Sequence, residues 1–414
     1  MSSLTDPDAL RRAARRFGTP LYVTDLAVLA DAAAQVRHAF PDPWLRQYSV
    51  KANDVPPVIA AVAQHGFGAN VVSSGEWAAA AQAGIPNDRI TLEGIGKTPA
   101  DLRAAGRAAG GGRPLRWVAI ESPEEAAALA ALARRQRVRL DVLYRLNPDV
   151  APETLAGLAV GAGATKFGMT ETEIAAAIEA GGGPDGPLRP RGIHLHVGSQ
   201  LGAVDAWRDA VRRATAVAAL WRGSIDSFDT LDVGGGFPVF ETGTPAPDPA
   251  RFARELPALL EAIPRDRRPS RLAVEPGRFL VARAGWLVAR VLHVRDRGGR
   301  QVVLDAGMTE LIRPALYGAR HPIVALTSRG RSIDRDPAAS AARRGPSSVS
   351  GVPGIEPTRV EGPICESTDS LGLHDLLPLR RGDLVAIADA GAYAASQSST
   401  YNGRARPPQA LLDT

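Results

Sequence analysis

The chain has 414 residues, of which 45% are hydrophobic and 22% are charged. This length fits one or two ordinary domains, and the polar fraction argues against a disordered chain and against a membrane protein. No apolar run approaches the ~20 residues that a membrane-spanning helix needs, and the N-terminus lacks the apolar core of a signal peptide. We therefore expect a cytoplasmic protein with no membrane partner.

Charge and cysteine content exclude further classes. The formal net charge is +5, but the 49 basic residues are scattered among 44 acidic ones, so no basic stripe predicts a nucleic-acid partner. The single cysteine, Cys365, excludes intrachain disulfides and multi-thiolate metal sites. Only Lys51, Lys97 and Lys166 are lysines, so chemistry that needs a neutralisable amine has three candidates.

Eight short apolar runs, each followed by an alanine-rich stretch that favours helix, predict repeated βα units around a parallel sheet. They are residues 47–53, 68–73, 90–94, 117–122, 141–147, 192–198, 230–236 and 272–277. Strands of a parallel sheet are buried on both faces, which agrees with the continuous apolar character of most runs. The runs span about 230 residues, close to the ~250 of a (β/α)8 barrel. The predicted fold class is therefore α/β, with a (β/α)8 TIM barrel.

After residue 280 the pattern changes to strands and turns without helical spacers. WLVARVLHV, RDRGGR and QVVLDAG predict, in order, the strand, turn and strand of a β-hairpin. We expect the barrel over residues 20–280 and a second, mainly β domain over 281–414, to which residues 1–19 also belong. The stretch 327–357, rich in Ser, Gly, Pro, Arg and Ala, is predicted to be a flexible surface insertion without chemistry.

Polar residues or glycines close nearly every predicted barrel strand. They are Lys51 and Asn53, Ser73 and Ser74, Arg145 and Asn147, His196 and Ser199, Gly234 to Gly236, and Glu275 with Arg278. Each one alone is equally compatible with an ordinary polar loop. Because the active site of such a barrel lies at the C-terminal ends of the strands, the whole set predicts one shared site.

Two of the predicted strand ends carry lysine or histidine side chains. Lys51 stands inside an otherwise apolar run, where a desolvated lysine can form a Schiff base; the alternative is a lysine whose ammonium extends to the strand mouth. His194 and His196 lie two residues apart and so on one face of a strand. The local sequence offers no third metal ligand, so we expect no metal and favour an imidazole stacked on a flat cofactor.

Two further strand ends carry three successive glycines and a carboxylate followed by an arginine. Gly234, Gly235 and Gly236 follow a strand directly, where bare amides can approach a phosphate, although glycines also make plain tight turns. Glu275 and Arg278, in EPGR, follow the last barrel strand. A carboxylate beside a heterocyclic nitrogen keeps that nitrogen protonated, as an electron-sink cofactor requires. An amine, an imidazole, glycines and a carboxylate together predict pyridoxal 5'-phosphate as the cofactor.

Ordered motifs along nearly the whole chain resemble the barrel-type (fold type III) pyridoxal phosphate decarboxylases, the group that contains diaminopimelate, ornithine and arginine decarboxylases. The motifs are FGTPLYVTD, YSVKAN, NVVSSGEW, ATKFGM, HLHVGSQ, LDVGGGFP, EPGRFLVARAG, DAGMTELIRPALYGARHP, GPICESTDSLG and DAGAY followed by SSTYNGRARP. The resemblance implies a second domain like the C-terminal β domain of alanine racemase and these decarboxylases. It also implies that Asn70 stands where many relatives carry an aspartate.

Within that group, GPICESTD is most similar to the diaminopimelate decarboxylases. This resemblance implies decarboxylation of meso-2,6-diaminopimelate to L-lysine. It implies that Glu366 receives the distal ammonium of the substrate, and that Arg313, Tyr317 and Arg278 receive its distal carboxylate. Cys365 is implied as the proton donor, reaching in from a second subunit.

A site with residues from two chains implies a homodimer. Tyr393, in DAGAY, is expected to come from the chain that holds the cofactor. The implied cofactor contacts are Lys51, His196, Ser199, Gly234, Gly235, Gly236, Glu275, Gly277, Arg278 and Tyr393. The implied substrate contacts are Arg278, Arg313, Tyr317, Glu366 and Tyr393, and the implied catalytic residues are Lys51 and Cys365.

Other functions stay open at this point. The same chemistry on another amino acid, such as ornithine, arginine or a carrier-linked glutamyl group, would use the same cofactor residues. A pyridoxal-dependent racemase on the same barrel would be expected to carry a second proton-transferring group. A non-catalytic homologue should have lost Lys51 or Cys365, and both residues are present.

Overall fold

The computed structural model describes residues 5–150, 161, 165–239, 246–326 and 355–413. The chain forms two compact units, here named the barrel unit and the sheet unit. The barrel unit comprises Ala33–Pro238 and Ala246–Gly277, and the sheet unit comprises Met1–Ala32, Val239–Pro245 and Arg278–Thr414. No helix among the described residues is both long and apolar enough to cross a bilayer.

The strands are β1 (Leu21–Asp25), β2 (Leu45–Ser49), β3 (Gly68–Val71), β4 (Ile90–Leu92), β5 (Trp117–Ile120), β6 (Leu140–Leu146), β7 (Leu188–Leu195), β8 (Thr230–Asp232), β9 (Arg271–Val274), β10 (Gly285–Asp296), β11 (Arg300–Leu304), β12 (Ile323–Ala325), β13 (Glu356–Glu361), β14 (Ser370–Leu376), β15 (Leu384–Ile387) and β16 (Gln409–Leu412). The helices are α1 (Pro7–Phe17), α2 (Leu26–Ala39), α3 (Pro56–Gln64), α4 (Ser74–Gln82), α5 (Pro99–Gly110), α6 (Pro123–Gln136), α7 (Glu171–Ala180), α8 (Asp205–Arg222), α9 (Pro249–Ala253), α10 (Leu256–Glu261), α11 (Arg278–Val281) and α12 (Arg313–Tyr317).

Strands β2 to β9 close into a barrel in chain order, and every neighbouring pair is parallel. Each of the eight predicted apolar runs overlaps one of these strands, so the predicted (β/α)8 barrel is confirmed. The strands are nearly all buried, as expected for a parallel sheet that is covered on both faces. A closed parallel barrel brings the C-terminal ends of its strands to one mouth, where polar residues meet.

Side-chain caps explain where several barrel helices begin. Thr98 precedes α5 and forms a capping box with Asp101, and Thr170 precedes α7 and forms one with Glu173. The hydroxyl of Ser122 likewise accepts from the backbone of the first turn of α6. These caps satisfy backbone N–H groups that have no partner inside the helix, and so each fixes the point where the loop after a strand becomes a helix.

In the sheet unit, six strands lie in the order β12, β15, β10, β11, β13, β14. Strand β1 pairs with β10, and β16 pairs with β1. The predicted hairpin is confirmed: β10 and β11 are antiparallel, and Gly298 and Gly299 form the turn between them with φ of 68° and 125°. Alternate residues of β1 and β10 pack into two different apolar clusters. Helix α1 covers one of these faces with Leu10, Ala13 and Ala14, at helical spacing.

Strand β1 and helix α1 show how the N-terminal part of the chain is organised. Although β1 lies inside the range 20–280, it is antiparallel to β10 and parallel to β16, both in the sheet unit. The boundary between the units falls inside α2, after Ala32. Of the predicted insertion 327–357, residues 327–354 lie outside the described residues, and Glu356 already begins β13.

Aromatic rings support the segment that follows β8. Phe237 comes directly after the three glycines, and its ring lies 5.6 Å from that of Phe40 and 5.2 Å from that of Phe252, between centroids. The ring of Trp207, in α8, lies 5.4 Å from that of Phe252 at 84°. Phe252 is completely buried. Edge-to-face packing of this kind adds to the stability that burial alone provides.

Phe252→Ala should therefore lower the free energy of unfolding by about 3–5 kcal/mol, because it removes a fully buried ring and leaves a cavity. Urea denaturation followed by circular dichroism measures the loss. The matched control is Leu220→Ala in α8, whose side chain is 63% exposed and whose loss should change stability by no more than about 0.5 kcal/mol. Equal effects of the two substitutions would contradict the packing described here.

Candidate active site

The three lysines have different surroundings. Lys97 Nζ lies 3.0 Å from Oε1 of Glu125, and Lys166 Nζ lies 5.3 Å from the ring centroid of Phe167. Lys51 follows β2 in a short 3₁₀ turn at the C-terminal mouth of the barrel, where it is half-buried. Of the three, Lys51 is the lysine that combines this position with the other predicted strand-end residues of the barrel.

The charge of Lys51 acts on both imidazoles of the β7 segment. Burial lowers the pKa of His196 well below its usual 6.5, and the nearby ammonium of Lys51 lowers it further. Burial also lowers the pKa of His194 to about 4, with a smaller contribution from Lys51. Both rings are therefore neutral near pH 7. A neutral, flat ring at the mouth suits stacking on a flat cofactor.

The backbone after β8 orients His196. The N–H of Gly235 donates to Nδ1 of His196 over 3.3 Å, so the neutral ring carries its proton on Nε2. Gly234 and Gly236 have φ of 67° and 95°, a backbone region that favours glycine. A Cβ at Gly235 would lie 2.1 Å from the carbonyl oxygen of Glu275. The glycines are therefore required for close backbone packing, and the bare backbone that results suits a phosphate.

Glu275 is a buried carboxylate of this mouth. It follows β9, is 3% exposed, and its N–H donates to the carbonyl of Gly234 over 2.8 Å. Gly277 packs against the β2 end, because a Cβ there would lie 2.9 Å from that of Ser49. Ser199 is half-buried in the loop after β7. Lys51, His196, Ser199, Gly234 to Gly236, Glu275 and Gly277 are thus all strand-end residues of one barrel.

These barrel residues fit the pyridoxal phosphate that the sequence predicts. They offer an amine, a neutral ring with a fixed tautomer, a segment too crowded for side chains and a buried carboxylate. The cofactor needs a covalent anchor, a stacking surface, a phosphate cradle and a partner for its ring nitrogen. Each need is matched by one of these features.

The remaining predicted residues belong to the sheet unit, where four of them form one group. The guanidinium carbon of Arg278 lies 4.6 Å from the ring centroid of Tyr393. Burial lowers the pKa of Arg278 to about 10, and the nearby charge of Arg313 contributes. Tyr317 ends the helix that Arg313 begins. Tyr393 has a φ of 57°, strained for an aromatic residue and typical of functional positions.

Cys365 and Glu366 form a second, solvent-exposed group of the sheet unit. The hydroxyl of Tyr401 donates to Oε1 of Glu366 over 2.7 Å and so orients the carboxylate. The buried Asp369 holds the loop: its two carboxylate oxygens accept the N–H groups of Met308 and Ile364, each over 2.6 Å. The loop that carries Cys365 and Glu366 is therefore fixed from within the unit.

Sequence reasoning missed several residues of these sites. Glu93 and Asp232 are buried beside His194 and Glu275, and each follows or ends an apolar run, in ITLEG and TLDVGGG. An acid at the end of such a run was the available signal. Tyr401 stood inside the quoted motif SSTYNGRARP without a role.

A buried ion pair connects two neighbouring strand ends. Arg145 Nη1 donates to Oε1 of Glu121 over 2.6 Å, and Oε2 of Glu121 accepts the N–H of Gly168 over 3.0 Å. Arg145 also lies over the ring of Phe167, 5.0 Å from its centroid. Arg145 was predicted as a strand-end residue, whereas Glu121 was not. Together they hold Phe167 and Gly168 against the barrel.

Comparison with known proteins identifies the family of this chain. The family described as "Pyridoxal-dependent decarboxylase, pyridoxal binding domain" matches residues 26–282. The diaminopimelate decarboxylase of Aquifex aeolicus is 32% identical, with 98% of this chain and 89% of that protein covered. The diaminopimelate decarboxylase of Actinosynnema pretiosum subsp. auranticum is 36% identical, with 95% and 84% covered.

Solved structures extend the similarity to the whole fold. The diaminopimelate decarboxylase of Helicobacter pylori, solved with L-lysine, has a TM-score of 0.85 at 28% identity, with 98% of this chain and 94% of that one covered. The lysine/ornithine decarboxylase of Vibrio vulnificus, solved with putrescine, has a TM-score of 0.79 at 22% identity, with 100% and 99% covered, and shares the fold. From the family match and the full-length relatives, this chain belongs to the pyridoxal-dependent decarboxylases.

Proposed function

We propose that this protein decarboxylates meso-2,6-diaminopimelate to L-lysine and carbon dioxide in lysine biosynthesis, with pyridoxal phosphate as its cofactor. The observation that carries the proposal is the presence, in one kind of chain, of both charges that the substrate's far end requires. Arg278 and Arg313 supply cations for a carboxylate, and Glu366 supplies an oriented anion for an ammonium. Relatives named for this activity cover nearly the whole chain.

The barrel residues act on the cofactor. Bound pyridoxal phosphate supplies the sink for the electron pair that remains when carbon dioxide leaves. Lys51 would anchor the group through Nζ, and His196 would supply the stacking ring. Glu275 would keep the ring nitrogen protonated through its carboxylate. Ser199, Gly277 and the glycines 234–236 would hold the phosphate end, and Tyr393 and Arg278 are proposed as further cofactor contacts.

The substrate residues orient the amino acid and complete the reaction. Arg278, Arg313 and Tyr317 bind the distal carboxylate, and Glu366 binds the distal ammonium. This two-sign recognition places the reacting carboxylate at the cofactor and rejects diamines without a distal carboxylate. Cys365 then donates the proton that replaces carbon dioxide, through Sγ.

We further propose a homodimer in which Cys365 and Glu366 complete the site of the second subunit. Both residues lie on an exposed loop that is nevertheless held in place by Asp369. Leu316 and Leu373 are 57% and 56% exposed, on α12 and β14, which pack against each other. Large exposed apolar side chains on neighbouring elements are typical of protein interfaces.

Borohydride reduction of the cofactor-loaded protein should fix the pyridoxyl group on Lys51, because the cofactor is expected to be anchored there covalently. Mass spectrometry of the digested protein locates the group. Lys51→Ala should bind the cofactor without retaining it after reduction. Lys97→Ala is the matched control and should keep the group. Recovery of the group on Lys97 or Lys166 would exclude the assignment.

Mixing two inactive variants tests the shared site. If Cys365 acts across the interface, a mixed dimer of a Lys51→Ala chain and a Cys365→Ala chain contains one intact site. Random exchange should then restore about a quarter of wild-type activity, since half of the dimers are mixed and each has one site of two. Carbon dioxide release measures the recovery. A mixture that stays inactive although exchange is demonstrated by mass would disprove the shared site.

Substitution of the two charge partners tests the substrate. Glu366→Gln and Arg313→Met should each lower kcat/KM for meso-diaminopimelate roughly thirty- to several-thousand-fold, since breaking a closed charge pair typically costs about 2 to 5 kcal/mol. The cofactor absorbance should stay unchanged, because neither residue holds the cofactor. Steady-state kinetics on both variants measure the effect.

The control for this experiment is the choice of amino acid. Wild-type protein is offered meso-diaminopimelate, ornithine, arginine and lysine, and carbon dioxide release is compared. Arg313→Met should barely affect any residual activity on ornithine or lysine, because neither has a distal carboxylate. A wild-type preference for ornithine, or unchanged diaminopimelate kinetics in Arg313→Met, would reject the substrate and leave the cofactor chemistry standing.

A further inference from the structure

Buried acids surround His194 inside the barrel unit. Nε2 of His194 lies 3.4 Å from Oε2 of Glu93 and 3.6 Å from Oε1 of Glu275. Nδ2 of Asn70 donates to the same Oε2 of Glu93 over 2.8 Å. His194 is 2% exposed, and Glu93 and Glu275 are 3% exposed each. Glu93 thus contacts both the imidazole and the amide, away from bulk water.

Asp232 adds a third carboxyl to this cluster. It is fully buried, and its Oδ1 accepts the N–H of Gly234 over 2.9 Å. Burial raises its pKa well above the usual value, and the carboxylates of Glu275 and Glu93 raise it further. The nearby cation, Arg145, is itself paired with a carboxylate, that of Glu121.

Three carboxylates cannot all be ionised in this interior, because the desolvation cost of each charge is large and the imidazole between them is neutral. Burial raises the pKa of Glu93, and the carboxylate of Glu275 raises it further. Among the described residues, Oε1 of Glu93, Oε1 of Glu275 and both ring nitrogens of His194 have no hydrogen-bond partner. A proton on Glu93 would provide a donor for the carboxylate of Glu275 or for the unprotonated ring nitrogen of His194.

We propose that Glu93 is a positioning residue that holds a proton between Glu275 and His194, so that Glu275 alone carries the negative charge offered to the cofactor ring. Glu93 does not touch the cofactor in this proposal, and it acts through Glu275. The proposal depends on the proposed function only through the role given to Glu275.

The Asn70–Glu93 hydrogen bond explains the amide at position 70. An aspartate there would place a fourth carboxyl beside Glu93, Asp232 and Glu275 and would remove the donor that orients Glu93. The amide has no charge and donates to the carboxyl oxygen.

Infrared spectroscopy of the apoprotein tests the proton directly. The difference spectrum of wild type minus Glu93→Gln at pH 7 should contain the carbonyl band of a protonated carboxylic acid, and the band should disappear as the pH rises through the alkaline range. The matched control is Glu124→Gln, at an exposed residue of the first turn of α6, which should lack this band. A difference spectrum with only carboxylate bands would overturn the proposal.

The pH dependence of stability gives a second readout. A carboxyl with a raised pKa binds its proton more tightly in the folded state, so its stabilisation is complete at acidic pH and is lost as the pH rises through the folded pKa. The melting temperature of the wild-type apoprotein should therefore fall more steeply than that of Glu93→Gln between about pH 5 and pH 8, the interval between the ordinary pKa of a glutamate and the folded pKa of about 8. The cluster members Asp232, Glu275 and His194 and the nearby Arg145, Glu121 and Lys51 are common to both proteins. Parallel curves would overturn the proposal.

Cofactor binding separates positioning from a merely structural role. Glu93→Gln keeps the size of the side chain and a donor and should bind pyridoxal phosphate within about threefold of wild type at pH 7. Glu93→Ala leaves Glu275 without its donor and should weaken cofactor binding by at least about tenfold, measured by fluorescence. Equal affinity in wild type and Glu93→Ala would overturn the proposal. Failure to decarboxylate diaminopimelate, with these results intact, would reject the proposed function alone.

A divalent cation is the competing occupant of this cluster. Ligand atoms of Glu93, His194 and Glu275 lie within 4.8 Å of one another, which a metal ion could also bridge. Calorimetric titration of the apoprotein with Zn²⁺ should show no binding that depends on Glu93. Tight binding of Zn²⁺ that is lost in Glu93→Gln would overturn the proposal of a proton on Glu93 and would assign a metal site instead.

Discussion

The close passage of the backbone at residues 234–236 is the constraint on which the barrel site depends. A side chain at Gly234 would lie 2.3 Å from the carbonyl oxygen of Leu195, and one at Gly235 would meet that of Glu275. The same backbone donates to the ring of His196 and accepts from the N–H of Glu275. One short segment without side chains therefore sets the ring of His196 and the backbone of Glu275 relative to each other.

Exclusion of water shapes the electrostatics around this segment. The ion pair of Arg145 and Glu121 and the neutral imidazoles keep the number of unbalanced buried charges small. A buried pair of this kind is weak evidence for stability, because desolvation offsets much of the attraction. The pair matters here because it fixes positions: Glu121 also accepts the N–H of Gly168 and so holds that residue in place. The polar interior thus fixes the positions of the side chains at the barrel mouth.

The barrel could be predicted from the sequence because its strands are continuous apolar runs with regular spacing, a local signal. Strand β1 has similar local character, but its pairing with residues 285–288 and 409–412 depends on contacts far along the chain. The same limit applies to the site. Lys51 and His196 could be predicted as site residues because each follows a barrel strand, and Glu366 could be predicted from a motif. Glu93 contacts His194 only because the barrel closes, and Tyr401 contacts Glu366 only because the sheet unit folds, so the local sequence does not indicate either contact.

Asp369 holds its loop through backbone groups alone. Its carboxylate accepts from Met308 and Ile364, and its own backbone pairs with Gly362 and Glu366. None of these bonds uses the side chain at 365 or 366. The main-chain shape of the loop therefore does not depend on the side chains at positions 365 and 366. The side chains at 365 and 366 can therefore be exchanged while the main chain that presents them is preserved.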